Sequence, residues 1–345
     1  MLRRTFLAQS SLAALLAKTD SRFAKAIEIS KNAPDIAYLA GAARYRGNTT
    51  EWSAGKARPD TVFLLASITK PMTAIAVMKL VDAGQVKLAD KVQKFIPEFK
   101  GGDRDLITVK HLLTHTSGLP DMLPENEELR KKHAPLSEFV AGTCRVPLLF
   151  KPGTQVKYQS MGILLAAEIV ERVSKTPLRA FLKKNLFDPL GMKQTSLGLG
   201  GRRIPDTAIG QVTGNDDWNW NSPYWRDFGA PWGGAHSTTA DLLVLLGYFL
   251  EPDARVLKPE TARLMVTDQN AGLNEPWGLG FMVNGNKFAK KCSRNTFGHW
   301  GSTGTVAWAD PVTKASFVLL TTKPAQDSRG TVLGPVSDAV AEAVA

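Results

Sequence analysis

The chain has 345 residues, 43% of them hydrophobic and 22% charged, which is ordinary for a globular enzyme and enough sequence for a substantial core. Its formal charge of +11 at pH 7 favours solubility, but the basic residues are scattered apart from Lys287, Lys290, Lys291 and Arg294. No aromatic-interleaved basic motif occurs, so a nucleic-acid partner is excluded, and no apolar run approaches the roughly 20 residues that span a bilayer. Cys144 and Cys292 define no disulfide framework; one bridge is open to an exported chain, and two buried free thiols are the expectation.

Residues 1–17 open with Arg3-Arg4-Thr5-Phe6-Leu7 and an Ala/Leu/Ser stretch to Ala17, the pattern of a twin-arginine export signal. Cleavage after Ala17 or Ala26 would deliver the protein to the periplasm. The alternative is an uncleaved amphipathic helix on a cytoplasmic protein, because Asp20 to Asn32 reads as the first helix of the fold. Two strands follow, Asp35 to Arg44 and Thr49 to Gly55, around an Arg46-Gly47-Asn48 turn.

The next stretch, Leu64 to about Ala83, is strongly apolar and helical, and Ser67 and Lys70 stand three apart at its mouth. That spacing stacks a hydroxyl and an amine on one turn. Backbone N–H groups and the macrodipole at a helix start favour a developing anion on the serine oxygen. A lysine walled in by apolar neighbours gives up part of its preference for charge and can accept the serine proton. Ser53 and Lys56 share the spacing, but Gly55 and Arg58-Pro59 break any helix there, so that pair reads as the end of a hairpin strand.

Downstream, Val86 to Pro97 and Leu106 to Leu113 lead to the stop signal Ser117-Gly118-Leu119-Pro120. A mixed-charge loop, Asp121 to Pro135, precedes a helix at Leu136 to Gly142. Helices are also expected at Gly162 to Val173, Leu178 to Leu186, Leu242 to Leu250 (capped by Thr238), Pro259 to Met265 and Pro335 to Val344. Residues 214–235 read as an aromatic loop carrying Trp218, Trp220, Tyr224, Trp225, Phe228 and Trp232. It either forms an apolar wall over a site or pins down a long loop. Strands are expected at Gly278 to Val283, Gly298 to Gly301, Val306 to Asp310 and Ala315 to Thr321. Strands at both ends with helices between predict an α+β fold. One region, 18–88 with 236–345, carries an antiparallel sheet flanked by helices; the other, 89–235, is mostly helical.

Two more segments carry chemistry. Tyr158 lies on a loop before a buried helix, with Ser160 two residues on; a phenol beside a lysine suits proton transfer in both directions. Gly298-His299-Trp300-Gly301-Ser302-Thr303-Gly304 is a glycine-rich strand edge whose backbone can approach a substrate and help hold an oxyanion. His111 and His115, four apart, lack the glutamate of a zinc protease motif and read as packing residues at a helix end. Ser117 lacks the Gly-x-Ser-x-Gly elbow and is a cap or turn residue. No metal or cofactor is expected.

In order along the chain, Ser67-x-x-Lys70, Tyr158-x-Ser160 and His299-Trp300-Gly301 resemble the three motifs of the serine β-lactamase-like superfamily, in the branch of class C β-lactamases, D-alanyl-D-alanine peptidases and family VIII carboxylesterases. His111 to Pro120, Pro189-Leu190-Gly191-Met192 and Gly233 to Thr238 resemble it too, so the likeness covers about Asp35 to Thr322. It implies a β-lactamase/transpeptidase-like fold in which Ser67 attacks a carbonyl and Lys70 and Tyr158 move the proton. It further implies that the N–H groups of Ser67 and Ser302 form the oxyanion hole, that Ser160, His299, Trp300 and Gly301 contact substrate, and that Tyr158 serves as base in deacylation. Two departures stand out. His299 replaces the lysine that would grip a carboxylate, and Ser160 replaces the usual asparagine. His299 remains readable as a satisfied strand residue. Both departures favour a small-molecule ester over a β-lactam or D-amino-acid peptide, with amide hydrolysis or acyl transfer as alternatives and a non-enzymatic scaffold disfavoured by three complete motifs.

Overall fold

A computed structural model describes residues 20–214 and 216–345. The predicted export signal at 1–17 lies outside the described residues. Among the described residues nine strands run in chain order: β1 (Tyr38–Tyr45), β2 (Asn48–Gly55), β3 (Phe63–Leu64), β4 (Ser196–Leu197), β5 (Ala235–Ser237), β6 (Met282–Val283), β7 (Phe297–Gly301), β8 (Thr305–Asp310) and β9 (Ala315–Thr321). The main sheet has the order β2-β1-β9-β8-β7-β6, antiparallel throughout, so strands from the two ends of the chain meet where β1 pairs with β9. The α+β architecture is the one expected.

Strand alternation decides which layer each residue joins. Leu39, Ala43, Trp52, Val306, Trp308, Phe317 and Leu319 pack with Ile27 of the helix Ala24–Lys31, with its N-cap Phe23, and with Val336 and Val340 of the helix Gly334–Val344. Their neighbours Ala40, Ala42, Ala307, Ala309, Val318 and Leu320 face the larger core that holds the helices Thr69–Asp82, Met161–Ser174 and Thr239–Leu250. Gly41 pairs with Trp52, and a Cβ there would stand 2.2 Å from the indole, so glycine makes room for that ring.

The helix Thr69–Asp82 is buried on nearly every face, from Thr69 through Met78 and at Leu80. A helix buried all round belongs inside a core, and this one packs against the helices Met161–Ser174 and Leu178–Leu182, while the turn that leads into it meets β7 and β8. Its entry is a short 3₁₀ turn, Ala66–Ile68, rather than a continuation of the α-helix.

Three local expectations change. Gly278 to Val283 contains only the two-residue β6, because Gly280 takes φ +82° and Gly278 N–H bonds back to Phe281 O at 2.9 Å in a tight turn. Within the aromatic stretch, Pro223–Phe228 is a helix, capped by Ser222 Oγ on Trp225 N–H (3.1 Å) and stopped by Gly229 in the left-handed region. A small sheet of order β3-β5-β4 was not expected at all, since strands of two or three residues are too short to show alternation. The thiols of Cys144 and Cys292 are both free.

Candidate active site

The mouth of the central helix is built by strain and by clamps. Ala66, next to Ser67, sits at φ +48°, a conformation costing a non-glycine residue on the order of 1–2 kcal/mol. Several bonds hold it there. Leu65 N–H donates to Ala235 O (2.9 Å), while Thr69 Oγ1 donates to Ala66 O (2.7 Å) and accepts from Ala235 N–H (3.0 Å). From the other side Thr303 Oγ1 donates to Leu64 O (2.8 Å) and Thr305 Oγ1 to Leu65 O (2.9 Å). Gly301 completes the seam: a Cβ on it would lie 2.2 Å from Leu65 O. The glycine-rich edge of β7 is thereby tied to the residues just before Ser67.

Lys70 is fully buried, and its Nζ donates to Ser67 Oγ at 3.0 Å and to Trp232 O at 3.0 Å. Burial drives its pKa down to about 7, with the nearby Asp121 carboxylate pulling the other way. The amine also lies 4.7 Å from the centre of the Tyr158 ring. Tyr158 is half-buried, and desolvation raises its phenol well above the usual range, opposed by a hydrogen bond with Ser67. Hydroxyl, amine and phenol therefore converge from segments far apart in the chain.

The tyrosine loop is laced to the end of the Val109–Leu113 helix. Lys157 N–H donates to His115 O (2.9 Å), Gln159 N–H to His115 Nδ1 (3.3 Å), and Ser117 Oγ to Gln159 Oε1 (2.5 Å). Ser117 is thus a turn residue, as expected, and His111 closes a capping box with Thr108. His115, read only as a packing residue, also borders the site. Its ring lies 4.8 Å from Tyr158 and 4.5 Å from Trp277, and burial holds it neutral.

His299 lies 6.0 Å from Tyr158 by ring centres and is pushed down to about 3 by burial, then by the neighbouring Lys70 charge. Trp300 points the other way: its Nε1 donates to Lys287 O (2.9 Å), Arg329 stacks over its ring, and it packs with the terminal-helix layer. Ser302 is exposed in the turn after β7. It borders a groove of about 500 Å³ that Trp218 and Trp220 also line. The aromatic stretch thus divides its roles. Trp218 and Trp220 wall this groove, while Phe228 and Trp232 pack around Phe139 in the core.

Ser160 is buried at the start of the helix Met161–Ser174, yet its hydroxyl caps no backbone N–H. It donates instead to Asp121 Oδ1 at 2.6 Å. Asp121 and the Trp232 carbonyl are site groups that sequence reasoning missed. For Asp121 the available signal was its place directly after the Gly118-Leu119-Pro120 stop; a backbone carbonyl leaves none.

A family model described as Beta-lactamase matches residues 35–341. The chain belongs to the beta-lactamase family. A protein of Escherichia coli (strain K12), provisionally named a D-alanyl-D-alanine carboxypeptidase, is 29% identical over 324 residues, which cover 82% of this chain and 74% of that protein. Among solved structures, EstCE1, "a hydrolase with promiscuous acyltransferase activity", superposes with a TM-score of 0.78 at 19% identity, covering 93% of this chain and 99% of that one. The D-amino acid amidase from Ochrobactrum anthropi SV3, complexed with L-phenylalanine amide, gives 0.75 at 21% identity, with 94% and 99% covered. At these identities the structural likenesses establish the fold, that of the serine β-lactamase-like superfamily.

Proposed function

We propose that this member of the family is a serine hydrolase that cleaves small carboxylic esters through an acyl-enzyme. The observation that carries the reading is the 3.0 Å contact between Ser67 Oγ and a fully buried Lys70 whose pKa lies at about 7. Near neutral pH a large share of Lys70 is the free amine, which accepts the Ser67 proton as Oγ attacks the carbonyl carbon. Negative charge builds on the carbonyl oxygen and is held by the N–H groups of Ser67 and Ser302. The C–O bond then breaks, and the alcohol leaves with a proton returned from Lys70 through the Tyr158 hydroxyl. Water adds to the acyl-enzyme by the same path in reverse, releasing the acid and restoring Ser67.

The raised phenol makes Tyr158 a proton donor and conduit rather than a standing base, so Lys70 carries the base role in both halves. His299, uncharged near neutrality, offers no fixed cation for a β-lactam or peptide carboxylate, which supports the ester reading. The groove beside Ser302 receives the acyl or alcohol portion against Trp218 and Trp220. Amide cleavage is the second reading, favoured by the 29% identical carboxypeptidase-like relative. Among the described residues no helix is long and apolar enough to cross a membrane, and the Arg3-Arg4 segment supports export to the periplasm.

The test is turnover of a chromogenic short-chain ester against a chromogenic cephalosporin, each with a Ser67→Ala control. Ester cleavage that vanishes in the variant and exceeds cephalosporin cleavage supports the proposal. Equal turnover by wild type and variant removes Ser67 from the mechanism.

A further inference from the structure

A second cavity, of about 480 Å³, includes none of Ser67, Lys70 and Tyr158 and shares no lining residue with the groove beside Ser302. A volume of that size is typical of small-molecule sites. One wall is β4, an edge strand of the small sheet, and another is built by Arg179, Lys183, Phe187 and Met192.

The turn after β4 brings Arg202 back beside the strand. Gly200 takes φ +62°, and a Cβ there would stand 2.6 Å from Ser196 Cβ, so glycine lets the turn close. Arg202 Nη1 donates to Ser196 Oγ (3.0 Å) and Leu199 O (3.1 Å), and Nη2 donates to Gln194 Oε1 (3.3 Å), all of them uncharged acceptors. These bonds fix the guanidinium plane and leave its charge unmet. Its Nε–H and one Nη2–H have no partner among the described residues. Burial holds the group below the usual arginine range, with Asp241 opposing. The Asp241 carboxylate is itself engaged by Gln194 N–H and Thr195 Oγ1, each at 2.8 Å.

The charges that line the cavity do not balance. Asp227 pairs with Arg179 at 2.8 Å and Asp188 with Lys183 at 2.6 Å. Among the described residues Arg202 and the exposed Lys193 have no ion-pair partner, so both cations are left for a ligand. The same cavity is lined by the apolar side chains of Phe187, Met192 and Leu197. A fixed guanidinium fork matches the paired oxygens of a phosphate or carboxylate, and a flexible ammonium adds a second contact.

We propose that this cavity is a second ligand site, taking a small organic oxyanion whose phosphate or carboxylate is received by Arg202 and Lys193 while its apolar part rests on Phe187, Met192 and Leu197. The site stands whether or not the Ser67 reading holds.

The experiment is calorimetric titration of the full chain at pH 7 with phenyl phosphate, benzoate and the neutral benzyl alcohol. At least one of the two anions is expected to bind saturably, and benzyl alcohol at least tenfold more weakly. The tighter anion identifies the headgroup, phosphate or carboxylate. Its dissociation constant is expected to rise about tenfold in Arg202→Gln, with partial recovery in Arg202→Lys, as loss of a charge-assisted contact in a partly exposed site requires.

Lys193→Gln covers the case in which Arg202→Gln disturbs the glycine turn. Lys193 is exposed and makes no side-chain bond among the described residues, and its replacement is expected to weaken the anion severalfold while leaving the unfolding midpoint unchanged. Absence of saturable anion binding up to about 10 mM overturns the proposal. So does an anion affinity that is the same in wild type, Arg202→Gln and Lys193→Gln, because the anion then binds elsewhere.

Discussion

Lys70→Met separates the proposed catalytic role of the buried amine from its cost to the fold. Methionine keeps the length of the side chain and removes the ionisable group. Burial lowers the lysine from 10.5 to about 7. At about 1.4 kcal/mol per pKa unit, folding with this group costs on the order of 5 kcal/mol at pH 7. Loss of the bonds to Ser67 Oγ and Trp232 O returns about 1 kcal/mol each. Lys70→Met is therefore expected to be about 3 kcal/mol more stable than wild type at pH 7 while losing on the order of 10³-fold in ester hydrolysis. The pH dependence fixes the sign. Between about pH 7 and 10.5 the unfolded lysine holds a proton that the folded one has lost, so wild-type stability rises with pH there. Urea denaturation of both proteins at pH 7 and pH 10 measures this directly. The advantage of the variant is expected to disappear by pH 10. A variant less stable than wild type at pH 7, or a gap of equal size at both pH values, refutes the reasoning.

Other outcomes follow from the same geometry. On a neutral ester, kcat/KM is expected to climb about tenfold between pH 6 and pH 8 as Lys70 loses its proton; a profile flat over that range contradicts the base assignment. Tyr158→Phe is expected to lower kcat by about 10²–10⁴ with little change in unfolding midpoint, because the ring's packing is kept and only the proton path is cut. His236 and His299 are both buried neutral and pushed down to about 3 from 6.5, so each subtracts up to about 1.4 kcal/mol per unit as pH falls below 6.5. Unfolding midpoints measured at pH 7 and pH 5 check this, and His236→Gln is expected to remove its share of the slope.

The sequence made the main sheet and the long helices legible because their patterns are long. Leu39 to Ala43 and Val306 to Ala309 alternate between two layers, and the helices Thr69–Asp82 and Met161–Ser174 are 14 residues long each and mostly apolar. Features set by a single backbone angle were not legible, such as the left-handed Ala66 and the glycine turn that shortens the strand before Asn284. The helix at Pro223–Phe228 carried a readable Ser-Pro start that the density of aromatic residues obscured. In the site, Ser67, Lys70 and Tyr158 announced themselves by residue type and spacing. Asp121 did not, because its place beside them is marked by a bond from the Ser160 hydroxyl, 39 positions along the chain. Trp300 misled, because alternation along β7 sends its indole to the face opposite His299.

Intact-mass analysis after reaction with an alkyl p-nitrophenyl phosphonate tests the central claim most directly. The account predicts one covalent adduct per chain, mapped to Ser67, absent in Ser67→Ala and formed far more slowly in Lys70→Met. An adduct on any other residue, or labelling of Lys70→Met at the wild-type rate, contradicts it.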